Sequence, residues 1–208
     1  MINFSVVIQA GGGSSRMGQD KALVPFEGST LIEYILSQIE GFGDEQIIIT
    51  NRVKEYQQFG LPVFQDVIPG LGALGGIYTG IYHASYHHSI ILACDMPFVN
   101  KNLLKRLLEL TPGYDAVIPR LKPDEFAEPF RAVYAKTCLQ SIEDAIESGQ
   151  NRVISFFDEI NIRIFCAHEI RIYDPEGKSF FNVNTPEDLA EAKILAKKIR
   201  RKGIEHIF

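Results

Sequence analysis

What this chain lacks narrows it first. Its 208 residues carry only three cysteines, Cys94, Cys138 and Cys166, an odd and widely spaced set without a C-x-x-C pair. That excludes a disulfide framework and a zinc knuckle and points to a reducing cytoplasm. Positive charge is also short: 21 Lys and Arg stand against 26 Asp and Glu, so the net charge of -5 argues against holding nucleic acid through bulk electrostatics. Any bound phosphate must be held locally. No uninterrupted apolar run approaches a membrane span, and Met1-Ile2-Asn3-Phe4 brings no basic region before the first apolar stretch, so neither anchor nor export signal is expected. Internal repeats and low-complexity tracts are missing too. With 46% hydrophobic residues the chain can build a real core, and one domain spanning 1–208 is the expectation.

What is present alternates. Ser5 to Ala10, Gln46 to Thr50 and Ser89 to Cys94 read as buried strands, with Leu31 to Glu40 and Leu74 to Tyr86 as helices between or near them. This is the pattern of an α/β protein with a three-layer, doubly wound, mostly parallel sheet. Asn100 caps a stripe of Leu103, Leu104, Leu107 and Leu108. Thr185-Pro186-Glu187-Asp188 opens a last helix, about 185–202, whose basic Lys197 to Lys202 reads as a solvated end that complements the dipole. The charged, proline-bearing stretch from about Pro119 to Phe130 reads as a loop. His83, His87 and His88 fall near helical spacing; an amphipathic helix running into solvent outweighs a metal set, because no nearby Cys or carboxylate completes one.

In open α/β sheets, ligands collect outside the carboxyl ends of strands, so polar residues after the apolar runs are the candidates. The first run ends in Gln9-Ala10-Gly11-Gly12-Gly13-Ser14-Ser15-Arg16-Met17-Gly18-Gln19-Asp20-Lys21. Glycines let a backbone approach a ligand closely, and free N–H groups with an Arg and a Lys make a cage for an anion, with phosphate the natural guest. A tight turn alone would leave Arg16 and Lys21 unexplained. Lys21 between Asp20 and Ala22 does not fit a Walker loop, and Arg16 stands where a dinucleotide fingerprint needs its last glycine. The third apolar run ends in Cys94-Asp95-Met96-Pro97. A carboxylate there, opposite a phosphate loop, is a natural Mg2+ ligand, since that cation prefers hard oxygens and keeps waters while bridging phosphates; a plain turn cap is the alternative for Asp95. Cys94 reads as packing, with no oriented histidine to activate it.

The loop resembles the nucleotidyltransferase signature A-G-G-x-S-x-R-M-G-x-D-K, and its Gly-Gly pair with Asp20 before Lys21 is most similar to the molybdenum cofactor guanylyltransferase family. Phe181-Asn182-Val183-Asn184-Thr185-Pro186-Glu187-Asp188-Leu189 resembles that family's N-V-N-T-P-E-D-L segment, where related cytidylyltransferases carry aspartates. Alternation puts Asn182 and Asn184 on the same side of an extended strand, so both amides can face metal and phosphates. Asp66, before Gly70-Leu71-Gly72-Ala73-Leu74-Gly75-Gly76, falls where the family carries a nucleotide-contacting Asp and a G-P-L-x-G-like turn; this chain lacks the proline, and glycines for close packing are the alternative. Asn51 falls where the family places an Asn that helps read the guanine or ribose; by itself it is an ordinary turn residue. Gln9 replaces a usual Leu near the base. Glu128 to Tyr134 is similar to a segment near the acceptor, and Gly149-Gln150-Asn151-Arg152-Val153 resembles the segment whose Arg follows an acceptor-side helix; contact with the pterin's phosphate and a surface helix cap are the two readings of Arg152.

The resemblance runs from Val6 to about Leu189 and implies a nucleotide-diphospho-sugar transferase-like fold. It implies transfer of GMP from GTP to the terminal phosphate of molybdopterin, forming molybdopterin guanine dinucleotide and releasing pyrophosphate. Gln9, Ala10, Gly11, Gly12, Gly13, Lys21, Asn51, Asp66, Asn182 and Asn184 would then bind the nucleotide, with Arg16, Lys21 and Asp95 catalytic and Asp95 on Mg2+. Other molybdenum cofactor biosynthesis proteins and recipient molybdoenzymes are the implied partners, with no nucleic acid and no membrane. The rival readings are a cytidylyl- or sugar-phosphate nucleotidyltransferase of the same fold and a noncatalytic nucleotide-binding protein.

Overall fold

Three short β-branched runs set the frame of the fold, which is described from a computed structural model for residues 2–11, 20–125 and 127–205, the stretch 201–205 as backbone. In chain order the elements are β1 (Phe4–Gln9), β2 (Pro25–Phe26), β3 (Ser29–Thr30), α1 (Leu31–Ile39), β4 (Glu45–Ile49), α2 (Val53–Tyr56), β5 (Val63–Phe64) and α3 (Gly72–His83). There follow β6 (His88–Ala93), α4 (Lys101–Glu109), β7 (Ala116–Arg120), β8 (Ala132–Ala135), α5 (Cys138–Glu147), β9 (Ile162–Cys166), α6 (Ala167–Tyr173) and α7 (Pro186–Glu205). The three expected strands sit within one residue of their sequence positions, and α1 within one residue of its own.

Seven strands form one sheet in the order β5-β4-β1-β6-β8-β7-β9. All pairs are parallel except those of β8, which runs antiparallel to β6 and β7. Side chains of successive strand residues point to opposite faces, so each run feeds two cores. Val6, Ile8, Ile48, Ile90 and Leu92 pack with Ile32 and Ile39 of α1 and with the leucines of α4. Val7, Ile47, Ile49, Ile91 and Ile118 pack with Leu74, Ile77 and Ile81 of α3 and Ile142 of α5. The result is a three-layer, doubly wound α/β architecture. A third cluster, Val24, Phe26, Leu31, Phe98, Val183, Ala192 and Ala196, ties the β2–β3 hairpin to α7. The hairpin's two-residue turn, Glu27-Gly28, has φ of 48° and 91°, the left-handed pair that matches the twist of its strands.

From β1 the chain winds out to β4 and β5, then returns to place β6 on the other side of β1. The strand order therefore reverses beside β1, and the carboxyl ends of β1 and β6 meet there with Gln9 and Ala93 as register partners. Such a switch point opens a crevice for ligands. Close approach of α3 to β1 is part of its construction: a Cβ on Gly80 would stand 2.5 Å from Val7 Cγ1.

Some sequence expectations are corrected. The histidines do not share a helix: α3 ends at His83, whose ring stacks on Phe64 at 4.0 Å, while His88 begins β6 opposite Phe4 and Ala135. Helix α3 starts at Gly72 rather than Leu74, and Pro119 and Arg120 finish β7 rather than belonging to the loop. Pro119 is tolerated because β8 pairs with β7 only as far as Val117, so at Pro119 the strand is paired on the β9 side alone and one side is an edge. Helix α7 continues to Glu205, so Lys197 to Lys202 lie within it rather than at its end. Both proposed caps are present: Asn100 Oδ1 accepts from Leu103 N, and Thr185 Oγ1 accepts from Asp188 N. Among the described residues, no helix is long and apolar enough to cross a membrane.

Candidate active site

At the β1–β6 switch point lies a cavity of about 390 Å3, lined by Gln9, Gly11, Ala73, Asp95, Glu128, Phe130, Asn182 and Asn184 with Ala93 and Cys94. Of the residues singled out in the sequence, it gathers Gln9, Gly11, Asp95, Asn182 and Asn184. Asp95 occupies the turn after β6, where Cys94 N donates to Gln9 O at 3.1 Å and extends the β1–β6 ladder by one bond. On its other side Val183 N donates to Asp95 O at 2.7 Å. Val183 is fully buried between two exposed asparagines, so the alternation expected of this segment holds although it joins no sheet. Burial pushes the Asp95 carboxyl above its ordinary range, while the charges of Lys21 and Arg131 pull it back.

Lys21 reaches the same place from the far end of the glycine loop, donating from Nζ to Asn184 Oδ1 at 2.9 Å. Its backbone opens a short 3-10 turn, Lys21–Leu23, capped by Asp20. Asp20 Oδ1 accepts from Ala22 N at 3.0 Å, and Oδ2 accepts from the buried Tyr56 hydroxyl at 2.8 Å and lies 3.1 Å from Arg52 Nη1. The Asp directly before the Lys is thus a hub that holds the lysine's backbone. Gly12, Gly13 and Arg16 lie outside the described residues.

Gln9 ends β1 with a buried carboxamide. Nε2 donates weakly to Ala73 O at 3.4 Å, and Oε1 has no hydrogen-bond partner among the described residues. A Cβ on Gly76 would fall 1.9 Å from Gln9 Nε2, so that glycine makes room for the glutamine. Close packing, the alternative for the glycine-rich start of α3, therefore accounts for Gly76 and Gly80. Ala10 is fully buried and spends its N–H on Ile49 O at 2.8 Å, which leaves no donor there for a ligand.

Asn51 and Asp66 follow the adjacent parallel strands β4 and β5 and meet each other, Asn51 Nδ2 donating to Asp66 Oδ2 at 2.7 Å. They form a second polar cluster at the same sheet edge, apart from the residues that line the Asp95 cavity. Arg152 stands before the 3-10 turn Val153–Glu159, also outside that lining. Cys94 is packing as expected: burial pushes its thiol well above the usual range, so no thiolate is available.

Sequence reasoning placed Glu128 in a segment of interest without singling it out. Its carboxylate shares the cavity with Asp95 and is pushed above its ordinary range by burial, against a hydrogen bond from Phe130 N at 3.1 Å. The available signal was an acid next to a proline in a resembling segment. The donor set of Asp95, Glu128 and the Asn182 and Asn184 amides is all hard oxygen, which suits Mg2+. Among the described residues no three of His, Cys, Asp or Glu converge, so a cation here would need oxygens from substrate phosphates or water.

The family profile described as a MobA-like NTP transferase domain matches residues 6–161. A Clostridium perfringens protein named "Probable molybdenum cofactor guanylyltransferase" is 35% identical over 199 residues, covering 93% of this chain and 99% of its own. A Methanosarcina mazei protein of the same name is 36% identical, covering 89% of this chain and 88% of its own. The crystal structure of molybdopterin-guanine dinucleotide biosynthesis protein A from Archaeoglobus fulgidus superposes with a TM-score of 0.81 at 28% identity, covering 93% of this chain and 99% of that one.

Proposed function

Because the chain belongs to the molybdenum cofactor guanylyltransferase family, we propose that it transfers GMP from GTP to the terminal phosphate of molybdopterin, forming molybdopterin guanine dinucleotide and releasing pyrophosphate. The observation that carries this reading is the convergence of Asp95, Glu128, Asn182 and the Lys21–Asn184 pair on one cavity at the switch point of the sheet. A basic side chain beside a carboxylate and amide oxygens suits a triphosphate and its cation. It does not suit a nucleophile of the protein's own, since Cys94 is held as a thiol.

The acceptor phosphate is already an anionic nucleophile, so the site needs no strong base. Its work is to align two phosphates and offset the charge between them. Lys21, its ammonium steered by Asn184, meets the charge that develops on the leaving pyrophosphate, with Arg16 in the same role and Gly11, Gly12 and Gly13 offering backbone to the phosphates. Mg2+ bound by Asp95, with Glu128 and the asparagine amides beside it, would supply Lewis-acid neutralisation of the triphosphate. Gln9 and the Asn51–Asp66 pair flank the nucleoside end. The remaining edge, by Glu128 and Phe130, is left for the pterin. The three cysteines are free, in keeping with work in the cytoplasm, and the product passes to recipient molybdoenzymes.

Pyrophosphate release with GTP and with CTP in turn, in Mg2+ and molybdopterin, tests this reading. Release with GTP and little with CTP is expected. Equal use of CTP would favour a cytidylyltransferase, and binding of GTP without release would favour a nucleotide-binding protein.

A further inference from the structure

Directly beneath the cavity lies a charge that the reaction itself does not call for. Arg131 is fully buried, and it holds a left-handed backbone with φ of 59°, a conformation that favours glycine. Its N–H donates to Ile91 O at 2.8 Å, which fixes it at the entry to β8 beside β6. A buried charge in a strained position is costly unless its guanidinium is hydrogen-bonded.

That guanidinium bridges two segments. Nη2 donates to Met96 O, in the turn that carries Asp95, and Nε donates to Ser179 O at 3.2 Å, at the root of the segment that carries Asn182 and Asn184. The second segment is anchored again by Asp174, which accepts from Lys178 N at 3.1 Å and Ser179 N at 2.8 Å. Farther along, Val183 N closes onto Asp95 O at 2.7 Å. Asp95 and the asparagines are thus joined by a closed path through Arg131, although they lie far apart in the chain. The remaining nitrogen, Nη1, is buried without a hydrogen-bond partner among the described residues. Burial lowers the arginine to about 10, with the charges of Asp95, Glu128 and Asp174 resisting, so it stays a cation at neutral pH.

We infer that Arg131 is a positioning residue for nucleotidyl transfer: its guanidinium fork sets the Asp95 turn against the Asn182–Asn184 segment, so that the two sides of the cavity form one cradle. Lysine would keep the charge but lacks the rigid planar fork that serves two carbonyls at once. The inference rests on the cavity being the transfer site, and wild-type pyrophosphate release from GTP is the control for that reading.

The experiment compares wild type with Arg131→Lys and Asp174→Asn. Pyrophosphate release is resolved into kcat and KM for GTP, and amide hydrogen exchange is followed at Val183 and Ile91 without substrate. Expected for folded Arg131→Lys are a kcat reduced roughly tenfold or more with KM changed far less, and Val183 exchange raised by about tenfold while Ile91 stays protected. Asp174→Asn, acting on the same path, shifts both readouts in the same direction by less. Folded Arg131→Lys with wild-type kcat and wild-type Val183 exchange would overturn the inference. Exchange raised equally at Ile91, or a lysine variant that does not fold, would assign Arg131 to overall stability and overturn it as well.

Discussion

Lys21 Nζ donates to Asn184 Oδ1 at 2.9 Å, joining the end of the glycine loop to the segment before the last helix across 163 positions of sequence. The pair holds an ammonium at the mouth of the Asp95 cavity. Lys21→Met should lower pyrophosphate release by about 10²- to 10³-fold, the scale of losing one preorganised charge-stabilising group. Asn184→Ala should cost less, and the double variant should cost less than the two together, because both changes break one contact. Steady-state kinetics with wild-type melting behaviour checks this.

Asp95→Asn separates function from stability. The folded Asp95 carboxyl is raised above the ordinary aspartate value, chiefly by burial. A carboxyl raised on folding favours the folded state fully below that ordinary value, and the contribution is lost as pH rises through the folded value. At neutral pH the ionised side chain therefore costs stability. The asparagine variant should melt at or above the wild-type temperature at pH 7, with the difference vanishing near pH 3, while turnover falls by at least about 10²-fold. A clear loss of Tm at pH 7 would refute the assignment.

The Asn51–Asp66 hydrogen bond, at 2.7 Å, lies at the same sheet edge, outside the residues that line the Asp95 cavity but beside Gly11, which does line it. If the pair holds the nucleoside, Asn51→Ala and Asp66→Ala should each raise KM for GTP by about tenfold, the worth of one hydrogen bond to a charged group, and change kcat much less. A loss confined to kcat would move the pair out of the binding role.

Gly76 and Gln9 form a size-coupled pair, with 1.9 Å between the missing Cβ and Gln9 Nε2. Gly76→Ala alone should destabilise by about 1–3 kcal/mol through overpacking. Combined with Gln9→Ala it should recover most of that loss. Thermal unfolding of the four members of the cycle measures the coupling, and purely additive effects would refute the contact.

The parts legible in the sequence are those that repeat within a short stretch. β-Branched runs alternating with helix-period segments gave away β1, β4 and β6, and Asp95, just beyond β6, was reachable because ligands gather at strand ends, whereas Gln9 at the end of β1 and Asn51 after β4 stood out only through the family resemblance. Asn182 and Asn184 were legible by alternation around a buried Val183. What stayed hidden depends on partners distant in sequence. Asp20 reads as a motif letter until Tyr56 and Arg52 close on it, and Arg131 reads as one polar residue in an apolar strand until Met96 and Ser179 stand around it. Strand β5 is two residues long and too short for any period to register, and His88 was misread because two adjacent histidines after a helix look like its continuation.

The most direct test of the central claim is mass analysis of the product formed from GTP, Mg2+ and molybdopterin. The account predicts a molybdopterin guanine dinucleotide with one pyrophosphate released per dinucleotide, and about a hundredth as much product or less from the Asp95→Asn variant in the same time. Unchanged molybdopterin beside intact GTP, or a dinucleotide formed only when CTP replaces GTP, would contradict it.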